Sequence, residues 1–183
     1  MVIFMNHSTI SPTNICVVRP DAIGDVVLMI PMINTLAQTY PSAKITILLR
    51  SYTAELFDEH PHVDQLIICD KRSLRHDVAT IKKHRFDAVF FSFVDGYYPL
   101  VFFLARVPIR VGDGSKFPIR FLFTHHAKIS YRSLIIHENH VNIELIKAIC
   151  PTPKLSTDNA IVVTKSNQHA GQQFLHQWVV PVH

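Results

Sequence analysis

The chain has 183 residues, 48% of them hydrophobic and 17% charged, the composition of a globular and not a disordered protein. Five glycines exclude collagen-like and Gly-rich linker readings, and the length favours one domain able to bury a substantial core. A net charge of +4 and a pI near 9.1 fit an anionic partner, whether phosphorylated sugar, lipid head group or nucleic acid, without selecting one.

Residues 1–13 read as a flexible polar arm. They lack the basic and long apolar regions of a convincing signal peptide. "ICVVR" (15–19) reads as a buried strand. Residues 25–39 read as a helix, with Val26, Val27, Ile30, Ile33, Leu36 and Ala37 recurring at three- and four-residue steps. Pro31 lies inside that pattern and should kink the helix or start a new turn. "YPSAK" is a turn, 45–49 a second strand, 52–58 a short helix and 64–69 a third strand. Residues 72–84 form a basic helix, 87–93 a fourth strand, 98–106 a short apolar helix and 109–112 a fifth strand. A loop-rich stretch runs to about 136. Residues 138–149 form an amphipathic helix with Val141, Leu145, Ile146 and Ile149 on one side. "PTPKLST" breaks the chain before a strand at 160–163 and a last helix at 166–178.

Strands separated by helices in this rhythm predict βαβ units. The fold class expected is α/β, a Rossmann-like parallel sheet with helices on both faces. The strands are continuous apolar runs, as expected when both faces are covered. No apolar run approaches the ~18 to 20 residues that span a bilayer. Cys16, Cys69 and Cys150 are odd in number and far apart. They fit small buried residues in a reducing cytosol better than a disulfide framework.

The stretch "RPDAIGDVVLMIP" (19–31) follows the first strand, and ligands of open α/β sheets bind beyond strand C-termini. It is no dinucleotide fingerprint, since only Gly24 is present, and no P-loop, since no Gly-Lys-Ser/Thr follows. What remains is one glycine permitting close backbone approach and a carboxylate in the first helical turn. Asp25 can cap the helix. It can equally be a general base at a ligand crevice, weak because the helix end favours its charged form. A weak base suffices when the attacked centre resembles an oxocarbenium ion.

Three other constellations carry charge or metal-binding side chains. Lys71, Arg72 and Arg75 follow the third strand at the same sheet edge, with Lys82, Lys83 and Arg85 further along the next helix. Asp95 and Gly96 follow the fourth strand, where they either line the cleft or form a simple turn. Arg106, Arg110, Lys116, Arg120 and Arg132 alternate with Phe117, Phe121, Phe123 and Tyr131. The aromatics of that stretch are expected in the core with snorkelling arginines. Contact with a membrane surface is the next reading and single-stranded nucleic acid the last. Twelve histidines raise a metal site, but "HENH" spaces its histidines three apart rather than four, and no metal is expected. No Ser or Cys has a recognisable nucleophile context.

"ICVVRPDAIGDVVLMIPMINTLAQTYPSAKITILLR" resembles the opening of glycosyltransferase family 9, the lipopolysaccharide heptosyltransferases. "HPHVDQLIICD", "RFDAVFFSF", "LARVPIRVGDGSKFPIRFLFTHH" and "HENHVNIELIKAIC" resemble later segments of the family, in the family's order, over roughly residues 14–180. The resemblance implies the N-terminal, acceptor-binding half of a GT-B fold. Its C-terminal donor-binding domain is absent from this length, so the isolated chain is expected to be inactive. It implies inverting, metal-independent transfer of heptose from ADP-heptose to the lipopolysaccharide inner core, without a cofactor. Asp25 would be the base. Arg19, Gly24, Lys71, Arg72, Arg75 and Asp95 would bind or orient an anionic acceptor of the Kdo-lipid A type, while Lys82, Lys83 and Arg85 face solvent. The expected setting is the cytoplasm, with peripheral contact at the inner face of the membrane and no nucleic-acid partner. The alternative is a non-catalytic Rossmann-like binding module, the remnant of a truncated or split gene.

Overall fold

The computed structural model describes residues 10–68, 71, 73–93, 95–129, 138–156, 160–161 and 168. Six strands form one sheet: β1 (Asn14–Val18), β2 (Lys44–Leu49), β3 (Gln65–Ile68), β4 (Ala88–Phe91), β5 (Ile109–Asp113) and β6 (His125–Ala127). Their order is β3-β2-β1-β4-β5-β6, and every neighbouring pair is parallel. This is the doubly wound, Rossmann-like α/β architecture expected from the alternation of strands and helices.

The alternation of side chains along β1 divides the core. Ile15 and Val17 point to a layer formed by α1 (Ile23–Val27), α2 (Ile30–Thr39) and α5 (Glu138–Lys147). Cys16 and Val18 point to the opposite layer, where α3 (Leu74–His84) and α4 (Tyr97–Leu104) pack with Phe91 and Phe123. β1 and β4 are buried on both faces, which is why their sequences are unbroken apolar runs. On α5, Leu145 and Ile146 are fully buried, as the spacing predicted.

Three elements differ from the sequence reading. The helix expected over 25–39 is two helices, because the chain turns at Leu28 and Met29 and Pro31 occupies the first turn of α2. There its missing N–H costs nothing, since the first N–H groups of a helix have no internal partner. The helix expected over 52–58 is a 3-10 helix, Ser51–Phe57. The stretch expected as loop to residue 136 contains a second 3-10 helix, Ile119–Leu122, and then β6. β6 is a three-residue edge strand carrying two histidines, too short and polar to show a strand pattern. It follows a tight packing contact: a methyl group on Gly112 would lie 2.4 Å from the ring of Phe123. The expected strand at 160–163 and helix at 166–178 fall almost wholly outside the described residues.

Cys16 is fully buried and reduced, with its thiol pushed far above its ordinary range by burial. Cys150 is also a free thiol but only partly buried, and Cys69 lies outside the described residues.

Candidate functional site

The strand order reverses between β1 and β4, and a crevice opens beyond their C-terminal ends at such a switch point. The chain leaves β1 into Arg19 and leaves β4 into Ser92. Arg19 is 4% exposed, so its charge needs partners. Its backbone N–H donates to the Leu48 carbonyl at 2.9 Å, which continues the ladder one residue past β1. Its Nε lies 2.8 Å from Asp21 Oδ1 and its Nη2 3.3 Å from Asp25 Oδ1. Its Nη1 donates to the Ser92 carbonyl and, at 3.0 Å, to Ser92 Oγ.

The guanidinium therefore ties the β1 loop to the end of β4, and a second chain of contacts fixes Ser92 in turn. Ser92 Oγ donates to Asn142 Oδ1 at 2.5 Å, and Asn142 Nδ2 donates to the Leu28 carbonyl at 3.2 Å. Asn142, on α5, is buried. It thus links the end of β4 to the break between α1 and α2, the segment that carries Asp25.

Asp25 is the third residue of α1. The helix has no side-chain cap, and its N-cap residue is Ala22. Among the described residues Asp25 makes one ion pair, with Arg19, and its side chain remains 43% exposed. Capping therefore does not account for this carboxylate. Asp21 is more enclosed. Burial pushes its carboxyl above the usual carboxylate range, against the pull of Arg19, and the charge of Asp25 adds to the push. Tyr52, in the Ser51–Phe57 helix, is exposed and donates its hydroxyl to the Asp21 carbonyl at 2.7 Å. A methyl group on Gly24 meets no atom within 4 Å, so the fold itself does not require glycine there.

Lys71 and Asp95 meet at the same edge, after β3 and β4. Lys71 Nζ lies 2.7 Å from Asp95 Oδ2 and over the rings of Tyr97 and Tyr98, at 5.4 and 5.5 Å from their centroids. Asp95 Oδ1 accepts from the N–H groups of Tyr97 and Tyr98, both at 3.1 Å, and so caps α4. The ammonium group is spoken for on one side and half exposed on the other. Arg75 is exposed on the first turn of α3, and Arg72 lies outside the described residues. Lys82, Lys83 and Arg85 are exposed.

Ser92, Asn142 and Asp21 were not singled out from the sequence. Asp21 stood in the quoted first loop, and Asn142 in the quoted "HENHVNIELIKAIC" segment. Ser92 carried no signal, because its importance comes from a pairing 73 residues away. Among the described residues no group of three or more His, Cys, Asp or Glu could hold a metal ion. No described helix is long and apolar enough to cross a membrane.

Comparison with known proteins gives this geometry a context. No family model matches the chain. A curated protein of Haemophilus influenzae named "Putative glycosyltransferase" is 29% identical over 115 residues, which is 61% of this chain and 33% of that protein. A glycosyl transferase family 9 structure from Veillonella parvula superposes with a TM-score of 0.80 at 19% identity, covering 94% of this chain and 51% of that one. The E. coli heptosyltransferase WaaC with ADP gives 0.67 at 19% identity, covering 81% of this chain and 51% of that one. E. coli ADP-heptose lps heptosyltransferase II gives 0.69 at 17% identity, covering 92% and 51%. The chain thus spans about half the length of these solved structures and a third of the curated relative. The resemblance to glycosyltransferase family 9 is borne out: the chain has the fold of about half of a GT-B family 9 structure, and its relatives are glycosyltransferases.

Proposed function

We propose that this chain is the acceptor-binding half of a heptosyltransferase-like glycosyltransferase, with Asp25 as the general base. The observation that carries the reading is the state of Asp25. It stands at the sheet's switch point, half exposed, unused as a cap and held by one buried arginine. The full enzyme would transfer heptose from ADP-heptose to an anionic core sugar of a lipopolysaccharide acceptor, at the cytoplasmic face of a membrane. One solved relative, E. coli WaaC, is described in two structures, with ADP and with ADP-2-deoxy-2-fluoro heptose, which supports a nucleotide-sugar as donor.

In this mechanism the acceptor hydroxyl attacks the anomeric carbon from the face opposite the diphosphate. The new C–O bond forms as the bond to the diphosphate breaks, ADP departs with the electron pair, and configuration inverts. Asp25 takes the hydroxyl proton late in that step, when the oxygen is already acidic, so a weak base serves. No metal is needed on the acceptor side. Arg19, being buried, orients Asp25 and does not reach the acceptor. Gly24, where a side chain would meet only open space, lets the sugar approach the backbone. Lys71 and Arg75 offer their open sides to acceptor phosphates or carboxylates; Arg72, between them in the sequence, is proposed for the same role from its position in the chain alone. Asp95 holds Lys71 in place.

The donor-binding half would come from further sequence or a second polypeptide. The test is Asp25→Asn in the enzyme carrying both halves, with ADP release as the readout. A fall in kcat on the order of 10² or more with the fold intact is expected. Normal turnover would remove Asp25 from the mechanism. Transfer by the 183 residues alone would overturn the half-enzyme reading and, if no complete enzyme can be assembled, a non-catalytic binding module becomes the better account.

A further inference from the structure

The core expectation for the aromatics of residues 117–123 holds only in part. Phe123 is buried against Phe91. Phe117 and Phe121 are 77% and 71% exposed, the two most exposed large apolar side chains among the described residues. Their rings meet edge-to-face at 5.8 Å, Phe117 just ahead of the Ile119–Leu122 helix and Phe121 within it, and the helix's place beside α4 and β5 leaves both rings on the outside. Isolated exposed apolar residues need no explanation, but this pair is not isolated. Arg110 donates to the Leu122 carbonyl at 2.7 Å and lies over the ring of Phe103 at 5.3 Å. Phe103 and Leu104 are themselves 44% and 40% exposed, and they line a cleft with Lys82, Arg106 and Arg110.

The charge around these rings is one-sided. Between residues 96 and 137 the sequence has six basic residues and one acid, Asp113, whereas the rest of the chain is close to balanced. Asp113 is buried and accepts from the Ser115 N–H, so its carboxylate is not on the exposed surface. Lys116 and Arg120, both exposed, flank the two phenylalanines directly. Among the described residues, these two cations flank the rings and Lys82, Arg106 and Arg110 line the adjoining cleft.

We propose that this surface, the Phe117–Phe121 knuckle with Lys116, Arg120 and the α4 cleft, seats on a bilayer containing anionic lipid. The two rings would enter the headgroup region, and the cations would meet lipid phosphates. Exposed aromatics flanked by exposed cations suit such a boundary. A protein partner would have to be strongly acidic and apolar at once. The proposal gives the membrane setting of the transferase reading an address on the fold. It is measured without donor or acceptor, so either can fail while the other stands.

The test is co-flotation of the 183-residue chain with phosphatidylcholine vesicles, with and without phosphatidylglycerol. Binding is expected only to the phosphatidylglycerol vesicles and should weaken with added salt. Phe117→Ser with Phe121→Ser should weaken it on the order of tenfold or more, with an unchanged thermal midpoint because neither ring is in the core. Lys116→Gln with Arg120→Gln should weaken it about 25-fold, at about fivefold per charge near an anionic surface. Failure to bind either vesicle, or binding that both double variants retain, overturns the proposal. So does displacement by a single-stranded oligonucleotide bound more tightly than the vesicles, or a wild-type dimer that the phenylalanine variant converts to monomer.

Discussion

β1 and β4 lie side by side, and a carboxylate stands at each end of the pair. At the N-terminal end, Asp87 Oδ2 accepts from the Thr13 N–H at 2.7 Å, the Thr13 hydroxyl at 2.6 Å and the Asn14 N–H at 3.0 Å. Asn14 Nδ2 donates to the His84 carbonyl at 2.7 Å and closes that end onto the α3 terminus. Burial raises the Asp87 carboxyl, but the three donors outweigh it and hold the group below the usual range. At the C-terminal end two carboxylates share one buried guanidinium, and Asp21 is pushed up rather than down. One end is fitted for stability. The other tolerates crowded charge, as sites that handle ligands do.

The sharpest way to break this contrast is to neutralise one carboxylate at each end. Asp25→Asn should cost the complete enzyme a factor on the order of 10² or more in kcat, while the stability of this domain moves by less than about 0.5 kcal/mol. Its one ion pair is half exposed and therefore worth little to the fold. Asp87→Ala should do the opposite. It strips the partners from two backbone N–H groups and a hydroxyl and should destabilise by about 3 kcal/mol, read by urea unfolding, with no effect on the chemical step. If Asp25→Asn unfolds the domain, or Asp87→Ala abolishes turnover in protein that remains folded, the division of labour between the two ends is wrong.

Ser92→Ala falls between these. It removes the hydroxyl between Arg19 and Asn142 and leaves Asn142 Oδ1 buried without its donor, which should cost about 2 kcal/mol. The guanidinium keeps Asp21, Asp25 and the Ser92 carbonyl, so the geometry at Asp25 should loosen rather than collapse. Urea unfolding of the variant beside Asp87→Ala checks the ranking. A loss larger than that of Asp87→Ala would mean that the C-terminal end, not the N-terminal end, is the stabilising clamp.

The two ends were unequally legible in the sequence. The buried strands announced themselves as apolar runs, and the α/β alternation followed from their spacing. Gly24-Asp25 was visible because a carboxylate after the first strand is conspicuous once missing glycines exclude the nucleotide motifs. The supports of Asp25 were not visible. Ser92 and Asn142 are common polar residues 50 apart, and only the parallel crossover brings them together. The break at Leu28 and Met29 was half legible, through Pro31. β6 was illegible, since three residues at a sheet edge need little hydrophobicity. The exposure of Phe117 and Phe121 ran against the ordinary rule for aromatics, which describes averages and not particular turns.

The smallest expected effect separates the two ends by sign. The folded state raises the Asp21 carboxyl, so it holds a proton over a range where the unfolded chain, near 3.8, has lost it. As pH rises through that range the folded state carries the extra proton, and stability attributable to Asp21 falls until the folded group also ionises. Asp87 behaves in the opposite way. Its folded pKa is depressed, so its contribution is present above 3.8 and is lost as pH falls through the folded value. Asp21→Asn removes the first component and keeps the second. Arg19 retains Asp25 and Ser92, so no buried charge is left without a partner, and the change at neutral pH should be under about 1 kcal/mol. Urea unfolding of wild type and variant across the acid range should show a difference that shifts in favour of Asp21→Asn as pH rises. A shift in favour of wild type would mean that the pair with Arg19 outweighs burial, and that the C-terminal end is held by charge in the same way as the N-terminal one.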